Sequence, residues 1–98
     1  MDTAYISLAM EEMGEVLQAL GKIERFGVDH FWEREGATNK EVLCQEVGGL
    51  LEVLDRLGLP ADLVEAGRKR KVERLKVFGP HVWSPEVGDA VARQEGRK

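Results

Sequence analysis

The segment TAYISLAMEEMGEVLQALGKIERF, residues 3–26, has apolar side chains spaced three and four residues apart. This spacing places them on one face of an α-helix, and we predict a helix from Thr3 to Phe26 that ends at Gly27. Its apolar arc consists of Tyr5, Ile6, Ala9, Met10, Met13, Val16, Leu17, Leu20 and Ile23. An amphipathic helix of this length has to bury that face against other helices.

Two further segments show helical spacing. One spans residues 39–57, with Asn39 as its predicted N-cap and Gly58 at its end. The other spans residues 60–78 and is predicted to end before Gly79, which a proline follows. No segment shows the sustained alternation that is typical of β-strands. We therefore predict an all-α protein with three main helices and a short C-terminal segment.

Composition limits the classes of function. The chain has 98 residues, of which 43% are apolar and 33% charged, and this is typical of one globular domain. A net charge of −4 argues against a general nucleic-acid binder, so we expect no nucleic-acid partner. No segment approaches the roughly 20 apolar residues of a membrane span, and we expect no membrane association. Cys44 is the only cysteine, and acidic residues stand where a signal peptide needs a basic flank, so we expect a cytoplasmic location.

The apolar arcs also bear on assembly. Three helices with arcs this wide carry more apolar surface than a small monomer can cover by itself. We therefore predict a homodimer or homotetramer, with a core of the four-helix-bundle type.

Three carboxylates point toward these apolar arcs. Glu12 falls inside the arc of the first helix, Glu15 lies at its edge, and Glu46 points into the arc of the second. An unpaired ionised carboxylate is costly to bury, so each needs a cation nearby. One candidate is a basic side chain such as Arg70 or Arg74. The other is a shared metal ion, and carboxylate oxygens one helical turn apart suit Mg²⁺ or Mn²⁺.

The charge changes sign along the chain. Residues 1–60 carry 12 acidic and 5 basic residues, whereas residues 61–98 carry 6 acidic and 9 basic ones. Within the third helix, Arg70, Lys71 and Arg74 share an arc with the apolar residues. The ordinary interpretation is that their stems cover the core while the charges reach water. The functional interpretation is that they bind phosphate oxygens.

Four segments, in this order and spacing, resemble the MazG-like nucleoside triphosphate pyrophosphohydrolases of the short, single-domain phage and bacterial type: EEMGEVLQAL at 11–20, KIERFG at 22–27, QEVGGLL at 45–51 and the basic stretch at 68–79. The resemblance implies an all-α NTP-pyrophosphohydrolase domain over residues 1–80. Residues 81–98 would then form a tail that can include a short helix.

The family hydrolyses NTP or dNTP to the monophosphate and pyrophosphate with Mg²⁺, as a dimer or a dimer of dimers. Its signature is E-x-x-E on one helix and E-x-x-D on the next. Glu12 and Glu15 match the first pair, and Glu46 matches the first acid of the second. Gly49 stands where the family has aspartate. The resemblance thus implies Glu12 and Glu15 as catalytic residues, and those two with Glu46 as metal ligands.

Further site residues follow with less specific matches. Lys71 and Arg74 resemble the family's phosphate-binding residues, and Arg70 shares their arc. Lys22 is close in direction to Glu15 and is a further candidate for binding phosphate, although a lysine in this position is more often simply solvated. Trp32 is a candidate for stacking on the base, although such an aromatic more often anchors its loop. The alternative function is a weakened or inactive nucleotide- or metal-binding protein of the same fold, because the acid expected at position 49 is missing.

Overall fold

A computed structural model describes residues 1–82 and 84–96 of the protein. Within them, a 3-10 turn at Thr3–Tyr5 precedes four α-helices and one two-stranded sheet. The elements are α1 (Ile6–Phe26), β1 (Phe31–Trp32), β2 (Ala37–Thr38), α2 (Asn39–Leu57), α3 (Ala61–Val82) and α4 (Pro85–Glu95). The prediction of an all-α protein is confirmed at the level of fold class. Positions 83, 97 and 98 of the predicted tail lie outside the described residues.

The chain divides into two units, Met1–Leu59 and Pro60–Lys98. In the first unit α1 packs against α2. The side of α1 that meets α2 carries small buried residues, Ala9 and Ala19, which let the two helices approach closely. Val53 and Leu57 are the buried apolar residues of α2. This close packing brings the carboxylates of the two helices together.

The C-terminal ends of α1 and α2 follow the predicted signals, whereas α1 begins at Ile6 rather than at Thr3, because residues 3–5 form the 3-10 turn. Gly27 and Gly58 end the helices at φ 97° and φ 73°, a backbone region that favours glycine. The N-cap of α2 is Thr38 rather than Asn39. Glu41 completes a capping box with Thr38, each side chain bonding the other's backbone. Asn39 instead lies in the core, where it is 1% exposed.

A β-hairpin lies in the segment that connects α1 to α2. Its strands pair antiparallel, with Phe31 opposite Thr38 and Trp32 opposite Ala37. The N–H of Gly36 donates a 2.8 Å hydrogen bond to the carbonyl of Trp32 and closes the turn. Each strand has only two residues, too few for an alternating pattern to be visible in the sequence.

Part of the predicted apolar arc of α1 is exposed rather than buried. Five residues at alternating steps of four and three form a stripe along the helix, and Met10 and Leu17 are 67% and 70% exposed. We call it the α1 stripe: Ile6, Met10, Met13, Leu17 and Leu20. The residues of α1 that face α2 each stand one position before a residue of this stripe. The helix α2 therefore covers only one side of the apolar arc of α1. The α1 stripe is therefore left without cover from α2.

The second unit consists of α3 and α4. The helix α3 runs four residues beyond Phe78, the predicted end, because a proline inside a helix can kink it rather than end it. Residues 61–74 are all exposed, so this part of α3 lacks the buried face that its pattern predicts. The helix predicted in the tail is confirmed as α4, with Ser84 as its N-cap. Among the described residues, no helix is both long and apolar enough to cross a membrane.

Candidate functional site

The three carboxylates singled out from the sequence lie together where α1 packs on α2. One oxygen each from Glu12, Glu15 and Glu46 lies within 4.8 Å of the other two, a spacing at which a single metal ion can be held. None of the three residues is buried. Glu12 and Glu15 meet because they lie one turn apart, whereas Glu46 is placed by helix packing.

The electrostatics of this carboxylate cluster are repulsive. Glu46 raises the pKa of Glu15 above 4.5, first because the two side chains share a hydrogen bond and then through charge repulsion. Desolvation adds to the rise, and a hydrogen bond with Glu12 opposes it. In residues 1–59, all of which the structure describes, no basic side chain forms an ion pair with the cluster. Within residues 1–59, the cluster therefore has no basic side chain at ion-pair distance.

Position 49 lies directly against the cluster. A Cβ atom placed on Gly49 would lie 2.9 Å from Oε2 of Glu12 and 3.6 Å from its carboxyl carbon. The first distance is shorter than the van der Waals contact of a methyl group with an oxygen. The carboxylate of Glu12 thus occupies the space that a side chain at position 49 would need.

A cavity of about 250 Å³ opens beside the cluster between α1 and α2. Its lining consists of Glu15, Gln18, Ala19, Lys22, Val42 and Glu46. Lys22, predicted to contact phosphate, is thus in the same cavity as two of the carboxylates. Sequence reasoning missed Gln18, although its position one turn after Glu15 is a signal that could have found it.

Trp32 anchors the hairpin to the helices. Its Nε1 donates a 2.6 Å hydrogen bond to Oδ1 of Asn39, and its ring meets those of Phe26 and His30 with centroids 5.2 and 4.5 Å away. Nζ of Lys22 lies 5.6 Å from the Trp32 ring centroid, a cation–π distance. The base-binding role predicted for Trp32 remains a prediction.

The structural role of Asn39 could not be predicted from the sequence. Its Nδ2 donates to the carbonyls of Gly27 and Lys22 at 2.9 and 3.4 Å, so it binds the end of α1 as well as Trp32. Asparagine at the start of a helix is typical of an N-cap, and nothing local in the sequence distinguishes that role from this one.

The other three basic residues predicted to bind phosphate lie in the second unit. Arg70, Lys71 and Arg74 are exposed on α3. The lining of the carboxylate cavity comes from α1 and α2 alone. Their contact with phosphate therefore stays a prediction.

Comparisons with known proteins add no relative. No protein-family model, no curated protein and no solved structure matches this chain.

Proposed function

We propose that the protein is a Mg²⁺-dependent nucleoside triphosphate pyrophosphohydrolase that converts NTP or dNTP to the monophosphate and pyrophosphate. The observation that carries the proposal is the meeting of Glu12, Glu15 and Glu46 beside a cavity that also contains Lys22. Carboxylates that bind a metal ion, next to a cation that binds an anion, suit a substrate that carries both Mg²⁺ and phosphate. The resemblance of the sequence to MazG-like enzymes supports the same reaction.

The donor set fits Mg²⁺. All three side chains offer hard oxygen ligands, and Mg²⁺ in phosphoryl-transfer sites usually takes one or two carboxylates together with substrate phosphates and water, so the cluster offers enough ligands for one ion. When bound, the ion would neutralise phosphate charge and lower the barrier to attack on phosphorus. Glu12, Glu15 and Glu46 would hold it, and its charge would relieve their repulsion.

The protein's own groups have separate tasks in this reaction. A water molecule attacks the α-phosphorus, the bond to the α–β bridging oxygen breaks, and pyrophosphate leaves. Glu15 would accept the proton of that water, because its carboxylate lines the cavity in which the phosphates would bind. Glu12 is the second candidate for this proton. Lys22 contributes charge for a phosphate oxygen in the same cavity.

The size of the cavity bears on assembly. Small-molecule sites usually measure about 300–1,000 Å³, and the cavity of about 250 Å³ lies below that range. We propose that the rest of the site is completed by self-association into a homodimer or homotetramer with a four-helix-bundle-type core. The exposed α1 stripe supports this, because it is an apolar helix face with heptad-like spacing.

Arg70, Lys71 and Arg74 are proposed to hold the β- and γ-phosphates that leave as pyrophosphate, and Trp32 is the candidate for a contact with the base. The proposed setting is the cytoplasm. The substrate is a free nucleotide, and Cys44, which is exposed and unpaired, is chemically stable in a reducing compartment.

A second candidate is a protein that binds nucleotide or metal with little turnover. The observation that favours it is Gly49, which leaves three helix carboxylates where the MazG-like signature has four. Binding needs only the remaining ligands, whereas catalysis needs them to hold the α-phosphate in line with the attacking water.

One experiment separates these functions. The protein is incubated with a panel of NTPs and dNTPs, with and without Mg²⁺, and pyrophosphate is assayed. Release that requires Mg²⁺ and is lost in Glu15→Gln and Glu46→Gln supports the enzyme. Glu11→Gln is the matched control, because Glu11 is an exposed acid on α1 outside the cluster. Nucleotide binding without pyrophosphate release supports the second candidate. A protein that neither binds nucleotide nor releases pyrophosphate would contradict both proposed functions.

A further inference from the structure

Gly49 has an unusual relation to the carboxylate cluster. Of the two glycines in α2, Gly49 is the one at which a side chain would require another group to move, since a Cβ atom there would lie 2.9 Å from Oε2 of Glu12. Its neighbour Gly48 has no atom within 4 Å of the corresponding position. Both glycines lie in the interior of the same helix, so helix propensity does not explain why either is there.

The contact sets where the carboxylate of Glu12 can go. Glu12 and Gly49 stand on facing sides of α1 and α2, and the carboxylate rests in the space above the glycine backbone. The same carboxylate supplies one of the three oxygens that lie within 4.8 Å of one another. A methyl group at position 49 would push the flexible end of Glu12 away, because a side chain moves more easily than a packed helix.

We propose that Gly49 is a positioning residue for metal binding: the space left by its missing side chain lets Glu12 reach the cluster with Glu15 and Glu46. This rests on the proposed metal-dependent function. The absence of an acid at position 49 is then a different way to build the cluster rather than the loss of a ligand. What matters at this position is the volume of the side chain and not only its charge.

The test compares two single substitutions in the full chain. Gly49→Ala and Gly48→Ala each replace a glycine inside α2, so both should raise the melting temperature of the metal-free protein. Mn²⁺ and Mg²⁺ binding, measured by calorimetry without nucleotide, should weaken about 10- to 100-fold in Gly49→Ala, a loss typical of substitutions that misplace a metal ligand. In Gly48→Ala the affinity should stay at the parent value.

A double-substitution cycle shows whether the effect passes through Glu12. In a Glu12→Gln background, Gly49→Ala should cause no further loss of metal affinity, because the displaced carboxylate is already gone. A crystal structure of Gly49→Ala without metal should show the Glu12 carboxylate moved from its place.

The outcomes separate this inference from the proposed function. If Gly49→Ala binds Mn²⁺ as tightly as the parent while Glu46→Gln does not bind it, the metal site stands and the inference about Gly49 is overturned. An equal loss in Gly48→Ala and Gly49→Ala overturns it too, since the cause would then be a general change in α2. If the parent binds neither Mn²⁺ nor Mg²⁺, the metal-dependent function fails and the inference fails with it.

Discussion

The indole Nε1 of Trp32 donates a 2.6 Å hydrogen bond to Oδ1 of Asn39, and this bond ties the hairpin to the start of α2. Asn39 also bonds the carbonyls of Gly27 and Lys22, so its amide joins α1, the hairpin and α2. Since Lys22 lines the carboxylate cavity, the same amide helps to hold the end of α1 that forms one wall of the site.

We expect Asn39→Ala to lower the free energy of unfolding by about 3 kcal/mol, because the indole and the two carbonyls lose their partners at a buried position. Trp32→Phe should cost about 1 kcal/mol from the hydrogen bond alone. Lys40→Ala, an exposed neighbour on α2, is the control and should change little. Urea denaturation measures all three, and an Asn39→Ala protein as stable as the control would contradict this role.

The metal-free protein should lose stability as the pH rises above about 4.5. The pKa of Glu15 is raised in the folded state by Glu46, so the folded protein binds a proton more tightly than the unfolded one. This contribution is fully present below the ordinary value of 4.5 and is lost as the pH rises through the raised pKa. Glu41 has the opposite sign. Hydrogen bonds from Thr38 lower its pKa, so its contribution is lost only as the pH falls below 4.5.

The pH effect is measured as the melting temperature in EDTA between pH 4.5 and 7. Glu46→Gln removes the repulsion, so its advantage over the parent should grow across this range. Glu11→Gln, outside the cluster, should run parallel to the parent. A constant difference between Glu46→Gln and the parent would mean that Glu15 and Glu46 are not coupled.

Mg²⁺ should raise the melting temperature of the parent, because a ligand that binds only the folded state stabilises it by mass action. The gain is about 2.7 kcal/mol when Mg²⁺ is present at 100 times Kd. Glu46→Gln should melt higher than the parent without metal and should show no Mg²⁺ shift. A parent protein indifferent to Mg²⁺ would count against the metal site.

We expect the protein to form at least a dimer through the α1 stripe. Leu17→Glu places a charge at the most exposed position of the stripe and should shift the protein toward monomer. Val28→Glu is the control, because Val28 is also exposed and apolar but lies outside α1. Light scattering at micromolar concentration measures the mass. A folded parent monomer would refute the prediction, and equal effects of the two substitutions would refute the role of the stripe.

Lys22, Lys71 and Arg74 should contribute to nucleotide binding more than Lys69 does. Losing one charge-assisted contact with phosphate costs about 1.5–3 kcal/mol, so the alanine variant of each should raise the nucleotide Kd accordingly. Lys69→Ala is the control, since Lys69 lies outside the arc predicted to bind phosphate. Lys76 is a poorer control because it pairs with Glu95 at 3.6 Å. Equal losses at all four positions would indicate diffuse attraction rather than specific contacts.

The helices could be predicted from the sequence because their signals are local. The apolar spacing predicted α1 and α2, and Gly27 and Gly58 predicted where they end. The E-x-x-E spacing alone placed Glu12 beside Glu15. The identity of the cap was not predictable in the same way. Thr38 and Asn39 are both good N-caps, and the choice depended on Asn39 having a better set of partners in the core.

Contacts between α1 and α2 could not be predicted from the sequence, because they depend on the tertiary structure. Glu46 lies more than 30 positions from Glu12 and Glu15, and only the close approach of α1 to α2 at Ala9 and Ala19 brings them together. The space at Gly49 that holds the carboxylate of Glu12 has the same origin. Helical periodicity predicts which way a side chain points, but it does not predict how far away the facing helix lies. That distance is decided by the side chains of both helices together.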